Sequence, residues 1–224
     1  MTTVDLQYFG HAMFALTSDG TTVVIDPFND DIGYPKPTVA PAAVVVSHEH
    51  FDHNNVKLLG GAPRVIRGLR DEGKDWARVD ERVGPFRITG VATYHDDQQG
   101  AARGKNTITI FEVEGLRVVH CGDLGHPLTA EQAQAVGTPD VLMIPVGGFY
   151  TCGPDVADQI CGGLQPRVII PMHFKTEVNK DWPIGTLDDY LRGKTARRLG
   201  PVVRITRQDL PAAQEIWALI PATR

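Results

Sequence analysis

Val46-Ser47-His48-Glu49-His50-Phe51-Asp52-His53 brings three histidines and an aspartate together at the end of a short apolar run over residues 42–46. On an extended segment, residues two apart point the same way, so His48 and His50 offer two imidazoles to one ion while Glu49 faces elsewhere. If the chain then turns, Asp52 and His53 diverge from that pair and reach a second ion beside the first. Imidazole with carboxylate suits zinc, manganese or iron rather than a thiolate-selecting metal. A purely structural alternative makes Asp52 the N-cap of a helix over 54–59 with exposed histidines beside it. Four potential ligands within six residues weigh against it.

Moving outward, the same pairing of an apolar run with a polar ligand type recurs. Tyr94-His95-Asp96 follows a strand expected over 86–93, His120-Cys121-Gly122-Asp123 follows one over 116–119, and Met172-His173 follows one over 168–170. Layered α/β folds place their sites at such strand ends. Further strands are expected at 4–8, 13–16, 21–25, 42–46, 64–66, 107–113, 141–144, 202–205 and 216–220, with Glu114-Gly115 as a hairpin turn. Helices are expected at 54–59, 129–136 with Thr129 as N-cap, 154–164 and 186–192. Prolines 27, 35, 37 and 41 make 27–41 an irregular loop.

The chain has 224 residues, 42% hydrophobic and 22% charged, which suits one packed domain over 1–224. Its net charge of -5 supplies no field to gather nucleic acid or anionic lipid. The opening Met1-Thr2-Thr3-Val4-Asp5-Leu6 has neither a basic leader nor a long apolar run, so a cytoplasmic location without membrane contact is expected. Cys121, Cys152 and Cys161 form no C-x-x-C pair and read as buried reduced thiols.

The run 46–53, followed by His95, Gly122-Asp123 and Pro171-Met172-His173, resembles the ordered signature of the metallo-β-lactamase superfamily. It is most similar to the branch of small cytosolic hydrolases that includes ascorbate-phosphate lactonase-like proteins. Gly10-His11, Ile25-Asp26-Pro27-Phe28, Arg103-Gly104-Lys105-Asn106 and His120-Cys121-Gly122-Asp123-Leu124-Gly125 also resemble that branch. The resemblance implies an α/β fold, a four-layer αββα sandwich with the site at one edge. It further implies that His48, His50 and His95 hold one metal, Asp52, His53 and His173 the other, and Asp123 both. Glyoxalase II-like members carry Gly-Gly where this chain has Asn54-Asn55, and the nuclease branches add a clamping domain for which there is no room.

Two zinc ions, or manganese or iron, would then activate a bridging hydroxide against an ester, lactone or phosphodiester of a small, anionic molecule, with Asp52 both ligand and catalytic orienter. A non-haem iron oxidoreductase and a non-catalytic metal-binding module are the alternatives. The complete second ligand set weighs against the first, whose mononuclear-iron members resemble this pattern with fewer committed ligands, and the absence of a damaged position weighs against the second. On the substrate side, His11, Arg103, Lys105 and Lys175 are candidate contacts, with Phe149, Tyr150 and Trp182 as walls. His120 and His126 read as packed or surface histidines.

Overall fold

The computed structural model describes residues 3–221; Met1, Thr2 and residues 222–224, included in the span and opening read above, lie outside the described residues. Strands in chain order are Val4–Gly10 (β1), Met13–Ser18 (β2), Thr21–Ile25 (β3), Ala43–Val46 (β4), Arg64–Arg67 (β5), Leu69–Arg70 (β6), Asp75–Trp76 (β7), Asp80–Val83 (β8) and Phe86–Tyr94 (β9). They continue as Lys105–Val113 (β10), Leu116–His120 (β11), Val141–Pro145 (β12), Val168–Met172 (β13), Ala196–Leu199 (β14), Val202–Ile205 (β15) and Glu215–Leu219 (β16). The helices are Ala130–Val136 (α1), Pro154–Leu164 (α2) and Leu187–Leu191 (α3).

Two large sheets result, ordered β15-β1-β2-β3-β4-β5 and β14-β16-β13-β12-β11-β10-β9-β8, with β6 and β7 forming a small ribbon. The period of two along a strand divides each apolar residue between faces. Val4, Leu6, Tyr8, Phe14, Leu16, Val23, Ile25, Ala43 and Val45 enter the core shared with Ile88, Ile108, Ile110 and Val118 of the second sheet. Their neighbours Met13, Ala15, Val24, Val44 and Val46 face the other way, into a smaller cluster. The central strands β12 and β13 are buried along their whole length, as strands covered on both faces must be.

Helix α2 covers the second sheet through Ala157, Ile160, Cys161 and Leu164, which join the main core. On the first sheet the outer cover is different: Phe28, Ile32, Tyr34, Leu58 and Leu59 come from irregular chain and two 3-10 turns, Asp30–Ile32 and Val56–Leu58. The helix expected over 54–59 is therefore corrected to a single 3-10 turn. Thr129 caps α1 as expected, its side chain accepting from the Gln132 N–H while Gln132 reaches back. Edge strands β8 and β14 and the β6–β7 ribbon were not anticipated; Asp80-Glu81-Arg82 and Arg197-Arg198 give them no apolar alternation to read.

Topology fixes where the ligands converge. In the second sheet β11, β12 and β13 are parallel, and β9, β10 and β11 are successively antiparallel, so β9, β11 and β13 all end on the same edge. His95, Gly122-Asp123 and His173 follow those ends, while the run 47–53 leaves β4 in the first sheet. Among the described residues no helix is long and apolar enough to cross a membrane.

Candidate metal centre

The structure brings the seven expected ligand residues together and sets His11 beside them. Ligand atoms of His48, His50 and His95 lie within 4.8 Å of one another, as do those of His11, Asp52, His53 and His173. Asp123 stands between the groups: its Oδ2 is 3.1 Å from His95 Nε2, 3.2 Å from His53 Nε2 and 3.4 Å from His173 Nε2. Gly122 makes this approach possible. Its φ is +55°, and a Cβ there would meet Asn106 Oδ1 at 2.3 Å.

Asp26, read from the sequence only as part of a phrase, orients two of the imidazoles. Its Oδ1 accepts from Ser47 N at 2.8 Å, and its Oδ2 accepts from Ser47 Oγ at 2.6 Å and His53 Nδ1 at 3.0 Å. Since the Ser47 hydroxyl donates to Asp26, its oxygen accepts from His48 Nδ1 at 2.9 Å. Both histidines are thereby held in the tautomer that leaves Nε2 free for a metal. Asp26 itself lies in the left-handed region at φ 50°, as do His11 at 54° and His173 at 52°, so strained backbone gathers at this edge. Replacing Asp26 with alanine would orphan three buried donors. It is expected to cost about 3–5 kcal/mol in thermal or denaturant unfolding, and to weaken metal binding roughly 10–100-fold by titration.

Asn106 does for Asp123 what Asp26 does for the histidines. Its Oδ1 accepts from Asp123 N at 3.0 Å, while Nδ2 donates to Thr93 Oγ1 and to Cys121 O, each at 2.9 Å. His120 is structural, donating from Nε2 to Ala12 O at 2.8 Å and accepting from Gly122 N at 3.0 Å. His126 likewise accepts from Tyr94 N at 3.1 Å.

Two buried carboxylates among histidines favour positive charge at this edge. Burial would raise the Asp123 carboxyl, but His173, His53 and His95 hold it well below the usual range. Burial opposes ionisation of Asp52 too, and His53 with the His11 hydrogen bond overcomes it. Burial and then His53 push the His48 imidazole well below its ordinary value, and burial and His95 lower His50. Burial would also lower His53, but Asp123 and Asp52 raise it well above its ordinary value. Buried His48 Nε2, His53 Nε2 and Asp123 Oδ1 have no hydrogen-bond partner. Lone pairs converging in a dry interior are costly unless a positive charge sits among them. The donor set therefore fits metal ions.

In front of the centre lies a cavity of about 460 Å³ walled by His50, Phe51, Asp52, His95, Arg103, Asp123, Tyr150, His173 and Trp182. Tyr150 and Trp182 are thus walls as expected, and Phe149 flanks Tyr150 with ring centroids 4.8 Å apart. Three of the expected substrate contacts fall elsewhere. His11 is fully buried behind the centre, its Nε2 3.1 Å from Asp52 Oδ2 and its ring 4.2 Å from that of His173. Burial, then His173, lower its pKa to about 4 against the pull of Asp52, so it is a neutral donor. Lys105 opens β10 opposite Tyr94, and that register turns its ammonium away to Lys74 O and over the Trp76 ring, 4.4 Å from the centroid. Lys175 is off the cavity wall, its backbone N–H bonded to Gly185 O at 2.8 Å. Arg103 alone of the four faces the cavity. Lys105→Ala is accordingly expected to leave the Michaelis constant for any anionic substrate within about twofold of wild type, a loss of one surface contact being within ±0.5 kcal/mol.

Two sheets meeting at a dry histidine–carboxylate edge define a metal-dependent hydrolase of the metallo-β-lactamase fold. The chain belongs to the beta-lactamase superfamily, whose domain model matches residues 5–173. It is similar to the UPF0173 metal-dependent hydrolases of Methanopyrus kandleri, at 29% identity over 76% of this chain and 84% of the relative, and of Thermoplasma acidophilum, at 27% over 79% and 85%. Among solved structures it is similar to a Thermotoga maritima protein assigned to the Zn-dependent hydrolases of the metallo-beta-lactamase superfamily. Identity there is 34%, coverage 96% of this chain and 98% of that one, and the TM-score 0.77.

Proposed function

We propose that this metal-dependent hydrolase is dinuclear and cleaves an ester, lactone or phosphodiester bond of a small molecule. His48, His50 and His95 would hold one ion and Asp52, His53 and His173 the other, with zinc first in line and manganese or iron compatible with the same donors. The observation that carries this reading is the single oxygen of Asp123 lying within 3.4 Å of histidines from both groups. When bound, such a pair supplies an activated water and a Lewis acid for the bond under attack.

The chain's own residues supply the rest. His11 donates from Nε2 to Asp52 Oδ2, which fixes the carboxylate where it faces the cavity and can accept a proton from water. Asp26 and Ser47 keep His53 and His48 in the ligating tautomer. A cavity of about 460 Å³ supports a small-molecule substrate, and falls within the roughly 300–1,000 Å³ of such sites. A nucleic-acid or membrane partner has no comparable support.

Elemental analysis of metal-loaded protein is expected to give two ions per chain, and a panel of lactones, phosphodiesters and thioesters to show turnover that chelation abolishes. One ion or none would end the dinuclear reading. Iron in the purified protein, with oxygen consumed and none of the panel hydrolysed, would instead establish oxidoreductase chemistry on this scaffold.

A further inference from the structure

We propose that the substrate carries one anionic group on an apolar body, the anion pairing with Arg103 and the apolar part lying against Phe51, Tyr150 and Trp182. This deepens the hydrolase reading and rests on it.

Among the described residues Arg103 is the only lysine or arginine on the cavity wall. Unlike Arg67, Arg87, Arg117 and Arg204, each of which reaches a carboxylate, it makes no ion pair among the described residues. Instead its guanidinium lies 5.7 Å from the Tyr150 ring centroid and 5.9 Å from that of Phe149. A cation–π contact of this kind attracts a guanidinium without using its N–H groups, which stay available to a planar anion.

The backbone beneath it is fixed as well. Asp96 Oδ1 accepts from Gln98 N and Gly100 N, each at 2.8 Å, and its Oδ2 from Ala102 N at 3.0 Å and Arg103 N at 2.6 Å. One buried carboxylate thus folds the whole segment and presents Arg103 without a search through loop conformers. Such preorganisation favours binding by lowering the ordering cost. Asp96 is a positioning residue.

The remaining wall away from the histidines is aromatic, and Phe51 and Phe149 stand 58% and 62% exposed beside it. A polyphosphate or nucleic-acid backbone would bring several charges to a single guanidinium and lay the rest of its length against these rings. One charge on an apolar body satisfies both surfaces.

The test compares metal-loaded wild type with Arg103→Gln and Arg103→Lys on mono-4-nitrophenyl glutarate and the neutral 4-nitrophenyl pentanoate. Wild type is expected to prefer the anionic ester at least about tenfold in kcat/KM, as a charged hydrogen bond implies. The preference should collapse toward unity in Arg103→Gln, chiefly through KM, and partly survive in Arg103→Lys. Calorimetric binding of 4-phenylbutyrate against 4-phenylbutanol gives a readout independent of turnover, with the same discrimination expected and lost in Arg103→Gln. Equal discrimination by wild type and Arg103→Gln overturns the proposal, whether or not the esters are hydrolysed. Arg103-dependent binding of the acid without hydrolysis of either ester supports the anion site and removes simple esters from the proposed substrates, and absence of turnover across the lactone, phosphodiester and thioester panel as well would end the proposed hydrolytic reading while the anion site stands.

Discussion

Asp123→Ala is expected to strip at least one ion from the centre and to reduce hydrolysis by more than the roughly 10–100-fold that follows loss of a group touching only the ligands. The side chain sits where both histidine groups meet, and nothing else among the described residues contacts His95, His53 and His173 at once. The fold should survive. The turn is held by the Asp123 backbone N–H on Asn106 and by the conformation of Gly122, neither of which uses the carboxylate. Metal content per chain, circular dichroism and kcat/KM together make the check. Unchanged metal with only a lower melting temperature would reduce Asp123 to a turn former.

Asp52→Asn should lower hydrolysis by about 10²–10⁴-fold, the range associated with a positioned proton acceptor, and move the melting temperature little. Asparagine keeps the shape and can still accept from His11 Nε2, now 3.1 Å from the carboxylate, but it loses the charge and the basicity. The helix-cap alternative has no structural footing. The only helical turn nearby begins at Val56, and its capping position, Asn55, makes no side-chain cap. Full activity in Asp52→Asn, measured at saturating metal, would remove Asp52 from the catalytic role.

The metal ligands were legible because each is a rare residue type placed just past an apolar run, a pattern that survives without knowing which strands pair. Direction was harder to read. Arg103 and Lys105 lie two residues apart and looked equivalent, yet Arg103 ends the loop folded by Asp96 whereas Lys105 is already locked into the β9–β10 register. His11 was placed near the site by its Gly10-His11 phrase, but only the packing of β1 and β2 against β13 shows it behind Asp52 rather than in the cavity. His173 N donating to His11 O at 2.8 Å is that junction. Asp26, Asp96 and Asn106 carry no local mark separating them from ordinary turn residues. The partners of Asp26 and Asn106 lie up to 27 and 17 residues away, so those two roles exist only once the sheets are formed, whereas Asp96 folds its own loop through nearby backbone N–H groups. The turn over Val56–Leu58 fell short of a helix because Asn54 and Asn55 precede it and Gly60-Gly61 closes it within two turns' length.

The centre is assembled from two sheets: the run after β4 belongs to one, and the ends of β9, β11 and β13 to the other. A growing chain therefore cannot complete both proposed ligand sets until His173 has been made and β13 has docked. Before β9 is made, an ion would meet only the local cluster at 48–53, an incomplete chelate. Filling of both ligand sets is thus expected to follow docking of the two sheets, and free metal then favours the closed sandwich by mass action. Metal supply and chain quality become one variable: a variant whose sheets part too readily will be read by the cell as a metal-poor enzyme before it is read as an unfolded one.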